Sequence, residues 1–222
     1  METTKYLQAK AATGHAAAQF RLGYRLAFGR RRARPTEWAR VIPLWQAAAA
    51  QGYNRALFYL GTCHDHGRGM AKDLPAAYAY FRQAAELGHA EACYNVALCL
   101  REGQGVGQDV VAAAEWFRKA ALLGDEAAQG DMGYCYMTGL GVPIDEEKAV
   151  YWYRKAANNG DRKAQYNLGL CYLAGDGVKA SGRWARYWFR KAASRGHRGA
   201  KAELRQLAPG GGAVIGFKRA GR

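Results

Sequence analysis

Apolar residues return along the chain at helical spacing, interrupted at regular intervals by glycine. Counting from Gly14, Gly52, Gly88, Gly124 and Gly160, positions four, eight, eleven and twelve fall within one stripe of a helix that turns about 100° per residue. After Gly160 these positions are Ala164, Leu168, Cys171 and Tyr172, and they mark the expected core face. Positions three, six, ten and thirteen form a second stripe, roughly opposite. Its occupants are mixed: Arg55, Glu91 and Lys163 at the third position, Phe20, Phe58, Tyr94 and Tyr166 at the sixth. The tenth holds Tyr24, Thr62, Leu98, Tyr134 and Leu170. In four segments a glycine pair follows this first stretch: Gly67/Gly69, Gly103/Gly105, Gly139/Gly141 and Gly175/Gly177. Glycine accepts positive φ and so ends a helix readily, and Asp73, Asp109 and Asp145 then suit the N-cap of a second helix.

The two-helix pattern is periodic. Phe81-Arg-Gln-Ala-Ala, Phe117-Arg-Lys-Ala-Ala, Tyr153-Arg-Lys-Ala-Ala and Phe189-Arg-Lys-Ala-Ala recur every 36 residues, each followed by a junction glycine at 88, 124, 160 or 196. The interval from Gly14 to Gly52 is 38, a two-residue insertion. This register predicts a half repeat over 1–14 and full repeats over 15–52, 53–88, 89–124, 125–160 and 161–196. A C-terminal half repeat over 197–208 and a flexible, Gly-rich basic tail over 209–222 complete it. A helix hairpin cannot bury its apolar faces alone, so each repeat must stack on its neighbours. Composition agrees with an all-helical chain. Among 222 residues there are 44 Ala but only 12 Val and Ile together, which disfavours a sheet.

In Ala164-Gln-Tyr-Asn-Leu-Gly-Leu-Cys-Tyr172, Gly175-Asp-Gly177-Val and Tyr187-Trp-Phe-Arg-Lys-Ala-Ala193, the chain resembles the Sel-one-like repeat (SLR) family, a relative of the tetratricopeptide repeat. The resemblance runs over residues 3–208. Arg31 departs from it where the second loop glycine belongs, as do Val96-Ala97 for Leu-Gly, Ser181 for Asp and His64 for Tyr. The resemblance implies a right-handed α-solenoid of stacked hairpins, a bacterial source, and a non-catalytic adaptor or scaffold for protein complexes. By similarity to tetratricopeptide arrays, the second stripe would line a concave groove. Phe20, Tyr24, Arg55, Phe58, Tyr94, Tyr134, Lys163 and Tyr166 are then the candidate contacts for a protein or peptide partner. The alternative is that these aromatic rings pack against the neighbouring repeat.

Charge adds a second candidate region. The net charge of +15 divides into +6 over 15–52, −3 over 125–160, +6 over 161–196 and +5 over 197–222, with the remaining segments near neutral. Arg30, Arg31, Arg32 and Arg34 cluster in the enlarged loop of the first repeat. Such a run suits an acidic partner, and it makes a polyanion or nucleic acid the runner-up expectation. The acidic fourth repeat interrupts any continuous basic stripe, so nucleic acid ranks second.

Little in the sequence suggests chemistry. Ser occurs twice, His five times, and no nucleophile–base–orienter set or phosphate-loop pattern is present. Cys63, Cys99, Cys135 and Cys171 recur one period apart on the core stripe and are expected to be reduced, with Cys93 an isolated extra. Cys63-His64-Asp65-His66 resembles a ligand cluster, but helical spacing turns His64 away from the face shared by Cys63 and His66. The expectation is no metal, no cofactor and no catalysis. No apolar run reaches the roughly 18 residues of a membrane span, and the first residues lack a secretory signal, so a cytoplasmic protein is expected.

Overall fold

A computed structural model describes residues 3–29 and 35–207. Within them the chain forms twelve α-helices and no strand. They are α1 (Thr4–Ala12), α2 (Ala16–Phe28), α3 (Pro35–Ala49), α4 (Asn54–His66), α5 (Leu74–Glu86) and α6 (Ala90–Glu102). Then follow α7 (Val110–Leu122), α8 (Glu126–Thr138), α9 (Glu146–Asn158), α10 (Arg162–Ala174), α11 (Gly182–Ser194) and α12 (Arg198–Gln206). Each predicted repeat therefore holds a first and a second helix, and the all-α solenoid of stacked hairpins is the fold. The basic loop Arg30–Arg34 and the tail 209–222 lie outside the described residues.

The hairpin turns form as their residue types require. Asp73, Asp109 and Asp145 each accept a hydrogen bond at 2.9 Å from the amide three residues on, which satisfies one otherwise unpaired donor of the helix start. Ser181 does the same for α11, its Oγ accepting from the Trp184 amide at 3.4 Å. The second glycine of the pair has a further constraint. Gly105 has φ +73, and a Cβ there would stand 2.2 Å from the Leu74 carbonyl oxygen; Gly177 has φ +62 and the same relation to Glu146 at 2.1 Å. A side chain is excluded at both positions by backbone conformation and by the neighbouring repeat's backbone together.

The chain groups into two compact units, 1–128 and 129–222. In the first, α1 to α7 pack in chain order, each on the next. One core there joins Phe20, Val41, Trp45, Ala48, Ala56, Leu60 and Cys63, and a smaller one joins Leu7, Ala11, Ala18 and Leu22. In the second unit α9 to α12 pack in the same manner. Ala149, Tyr153, Ala156, Ala164, Leu168, Cys171 and Trp188 form one core, and Ala185, Phe189, Ala192 and Ala200 another. The alanines are small where helices approach closely. Polar pairing reinforces the junctions: Gln165 donates from Nε2 to the Ala157 carbonyl at 3.0 Å, and Gln19 to that of Ala11 at 3.4 Å. Cys93 occupies this same column and directs its thiol at the Ala85 carbonyl, 3.7 Å away. The extra cysteine thus replaces a buried glutamine, with a weaker donor in the same place.

Candidate partner-binding face

The first helices α2, α4, α6, α8 and α10 carry the second stripe, and the structure sorts its residues into three groups. Phe20 belongs to the core. It is 2% exposed, enclosed by Trp45, Tyr53 and Tyr59 with ring centroids 5.2–6.2 Å away, and capped by the Arg55 guanidinium 5.0 Å above its ring. The expectation of a partner contact at Phe20 is therefore corrected. Helical direction places its ring on the stripe, but Trp45 of its own repeat and Tyr53 and Tyr59 of the next close over it.

Phe58, Tyr94 and Tyr166 form a half-buried group. The Phe58 ring lies against Phe81, at 5.9 Å, and is stacked on His89 at 4.6 Å. Tyr94 meets Phe117 at 5.6 Å. Tyr166 meets Phe189 at 5.7 Å and stacks on His197 at 4.3 Å. Each ring spends one face on the second helix of its own hairpin and keeps an edge on the surface. Burial pushes the Tyr166 phenol above its ordinary pKa, with Glu203 adding to the effect.

The third group is exposed. Tyr24 is 40% exposed and Tyr134 49%, and both occupy the tenth position after a junction glycine. Arg55 and Lys163 are exposed as well. In the first unit Tyr24 sits edge-on to Tyr59 at 5.5 Å and beside Phe28 at 5.0 Å. Burial, followed by the neighbouring Tyr24, pushes the Tyr59 phenol up to about 12. Tyr24, Phe28 and Tyr59 make an aromatic surface with Arg55 next to it. In the second unit, Tyr134, Lys163 and Tyr166 lie on the corresponding stripe.

Sequence reasoning missed several exposed rings. Phe28 is 45% exposed and Tyr59 half-buried, yet neither falls on the four positions chosen for the stripe. On the second helices Tyr151, Trp184 and Tyr187 are 57%, 48% and 41% exposed. The signal for these was present. In α11 the buried set is Ala185, Trp188, Phe189 and Ala192, and Tyr187 lies about half a turn from its centre. Lys191 stands 4.8 Å from the Tyr187 ring and 5.1 Å from that of Trp188, covering part of this surface.

The polar clusters resolve as parts of the fold. Cys63, Cys93, Cys135 and Cys171 are buried and Cys99 is half-buried. Burial pushes the thiols of Cys63 and Cys99 up to about 11 and that of Cys171 up to about 12, which suppresses thiolate at neutral pH. His64 stacks on Tyr80 at 5.4 Å, whereas His66 points its Nδ1 at Asp65 and the Thr62 carbonyl, each at 3.1 Å. Among the described residues no three His, Cys, Asp or Glu side chains converge as a metal site. No described helix is long and apolar enough to cross a membrane.

The comparisons with known proteins agree with this geometry. The family model described as Sel1 repeat matches residues 16–34, 54–89, 90–125, 126–161 and 162–197. No curated protein matches by sequence. Among solved structures, a protective antigen of uropathogenic Escherichia coli with an SLR fold is similar at a TM-score of 0.86 and 33% identity, over 92% of this chain and 44% of that one. The chain thus spans less than half of the antigen's length. A Sel1 repeat protein from Oxalobacter formigenes is similar at a TM-score of 0.77 and 32% identity, over 91% of this chain and 82% of that one. The immunity protein PA5088 of Pseudomonas aeruginosa, at 23% identity and a TM-score of 0.52 over 83% of this chain and 66% of that one, shares the fold. Repeated hairpins, glycine turns and family matches across most of the described helices lead to one conclusion: this chain belongs to the Sel1 repeat family.

Proposed function

We propose that this chain is a non-catalytic adaptor that holds a peptide or a segment of a partner protein along the second stripe of its first helices. Sel1 repeat proteins generally mediate protein–protein interactions. The observation that carries the reading is the pair Tyr24 and Tyr134, exposed rings at one register position on two different first helices. Rings of this kind bury much area on binding while losing little rotamer entropy, which makes them efficient anchors. Arg55 and Lys163 offer cationic groups beside the aromatic ones, suited to acidic side chains of the partner.

The test uses photocrosslinking residues placed at positions 24 and 134 of the full chain. The reading expects each position to capture a discrete protein, with capture lost in the Tyr24→Ala/Tyr134→Ala variant. Retention of that protein by the folded variant at unchanged affinity overturns it.

A further inference from the structure

Three helices start on a histidine cap. The amides of Ala18, Ala92 and Ala200 donate to Nδ1 of His15, His89 and His197 at 3.4, 3.3 and 3.2 Å. A ring nitrogen accepts a hydrogen bond only while it carries no proton, so each cap requires a neutral imidazole protonated at Nε2. An imidazolium would lose the bond and place a positive charge at the positive end of the helix. Other first helices carry a different residue at this register. Asp125 accepts from the Ala128 amide at 2.8 Å, and Asp161 caps α10.

Two of the caps also touch the candidate binding face. His89 lies flat on Phe58, with ring planes 16° apart, and His197 lies on Tyr166 at 23°. The charged groups acting on His89 are Glu91 from its own helix and Arg55 from α4. Acting on His197 are Asp161 at the start of α10 and Arg162 and Lys163 from α10.

We propose that His89 and His197 are pH-responsive latches on the partner-binding face: neutral, each caps its helix while stacked on the Phe58 or Tyr166 ring, and protonated, each gives up the cap and puts a charge against that ring. The consequence for binding rests on the reading of this stripe as the partner face. Burial holds both imidazoles below their ordinary pKa, against the pull of Glu91 and with a smaller push from Arg55 at His89, and with Arg162 and Lys163 against Asp161 at His197. With the folded pKa depressed, the stabilisation is whole above the ordinary histidine range and is lost as pH falls through the folded value.

The test is a side-chain and amide NMR titration of the full chain from about pH 7.5 to about pH 5.5. The expected result is a loss of hydrogen-exchange protection at Ala92 and Ala200 of roughly fivefold beyond the intrinsic pH effect. The Phe58 and Tyr166 ring resonances should shift along the same titration. The His89→Asp/His197→Asp variant keeps a cap that does not titrate in this range and should show neither change; His89→Asn/His197→Asn serves if the Asp variant does not fold. Protection that stays constant while the two histidines protonate overturns the proposal, as do ring resonances that stay fixed. No partner is needed for this measurement, so it stands or falls separately from the crosslinking test.

Discussion

The Phe189 ring lies across the bare Cα of Gly169, where a Cβ would stand 2.5 Å from the ring carbons. The same relation joins Trp45 to Gly23, Phe81 to Gly61 and Tyr153 to Gly133, at 2.4–2.7 Å. In four of the five full repeats the ninth residue after the junction glycine is thus the hole that receives the aromatic knob of the same hairpin, and the third carries Ala97 there. Gly169→Leu should fill that hole, displace Phe189 and cost about 1–3 kcal/mol. A urea midpoint equal to that of the parent chain would show that the knob is not seated there.

Gly177 and Gly88 separate two effects of glycine. At Gly88, φ is +79 and nothing lies within 4 Å of an added Cβ, so Gly88→Ala carries backbone strain alone, about 1 kcal/mol. At Gly177 the Glu146 carbonyl is added to a similar strain, and Gly177→Ala should cost more than about 2 kcal/mol. Equal losses in parallel denaturation experiments would mean that the turn moves away from its neighbour without penalty.

Phe20 and Tyr24 differ by one turn of helix and should differ widely in consequence. Removing the enclosed ring in Phe20→Ala is expected to cost about 3–5 kcal/mol, whereas Tyr24→Ala should cost about 1 kcal/mol or less. Thermal melts of the two variants rank them directly. If Tyr24→Ala were the more damaging, its ring would be a structural element and unsuitable as a free anchor.

The cysteines provide a chemical readout. Iodoacetamide at neutral pH should label half-buried Cys99 ahead of buried Cys63 and Cys171, which should react only after urea, as followed by peptide mass spectrometry. Early labelling of Cys171 contradicts the packing described. The raised thiol pKa of Cys171 also sets an alkaline limit. An unfolded thiol ionises near its ordinary 9.0 and the folded one near 12, so the folded state binds more protons between them and stability should fall as pH rises through that window.

Much of the fold was legible because its determinants are local. The caps at Asp73, Asp109 and Asp145 and the turn glycines depend on residues a few positions away, and their period exposes them. Ser181 departs from Asp but performs the same capping, since a hydroxyl oxygen accepts as a carboxylate does. The partner face was less legible. A stripe gives the direction of a side chain and says nothing of what closes over it: Phe20 and Tyr24 share the stripe, and only the bulk of Trp45, Tyr53 and Tyr59 separates their fates. Cys93 was opaque for a related reason. Its role appears only when Gln19 and Gln165 are seen to address the equivalent carbonyl.

The Gly177 amide donates to the Glu146 carboxylate at 3.2 Å, and the two residues are 31 apart in sequence. Gly105 and Leu74 lie at the same separation, and the helices pack in chain order within each unit. Contacts of such short reach carry a small loop-closure cost, which places this chain among architectures that fold rapidly. A hairpin emerging from the ribosome meets most of its packing surface in the segment made just before it. Synthesis can therefore proceed with the earlier repeats already closed, and little apolar surface is left waiting for residues not yet translated.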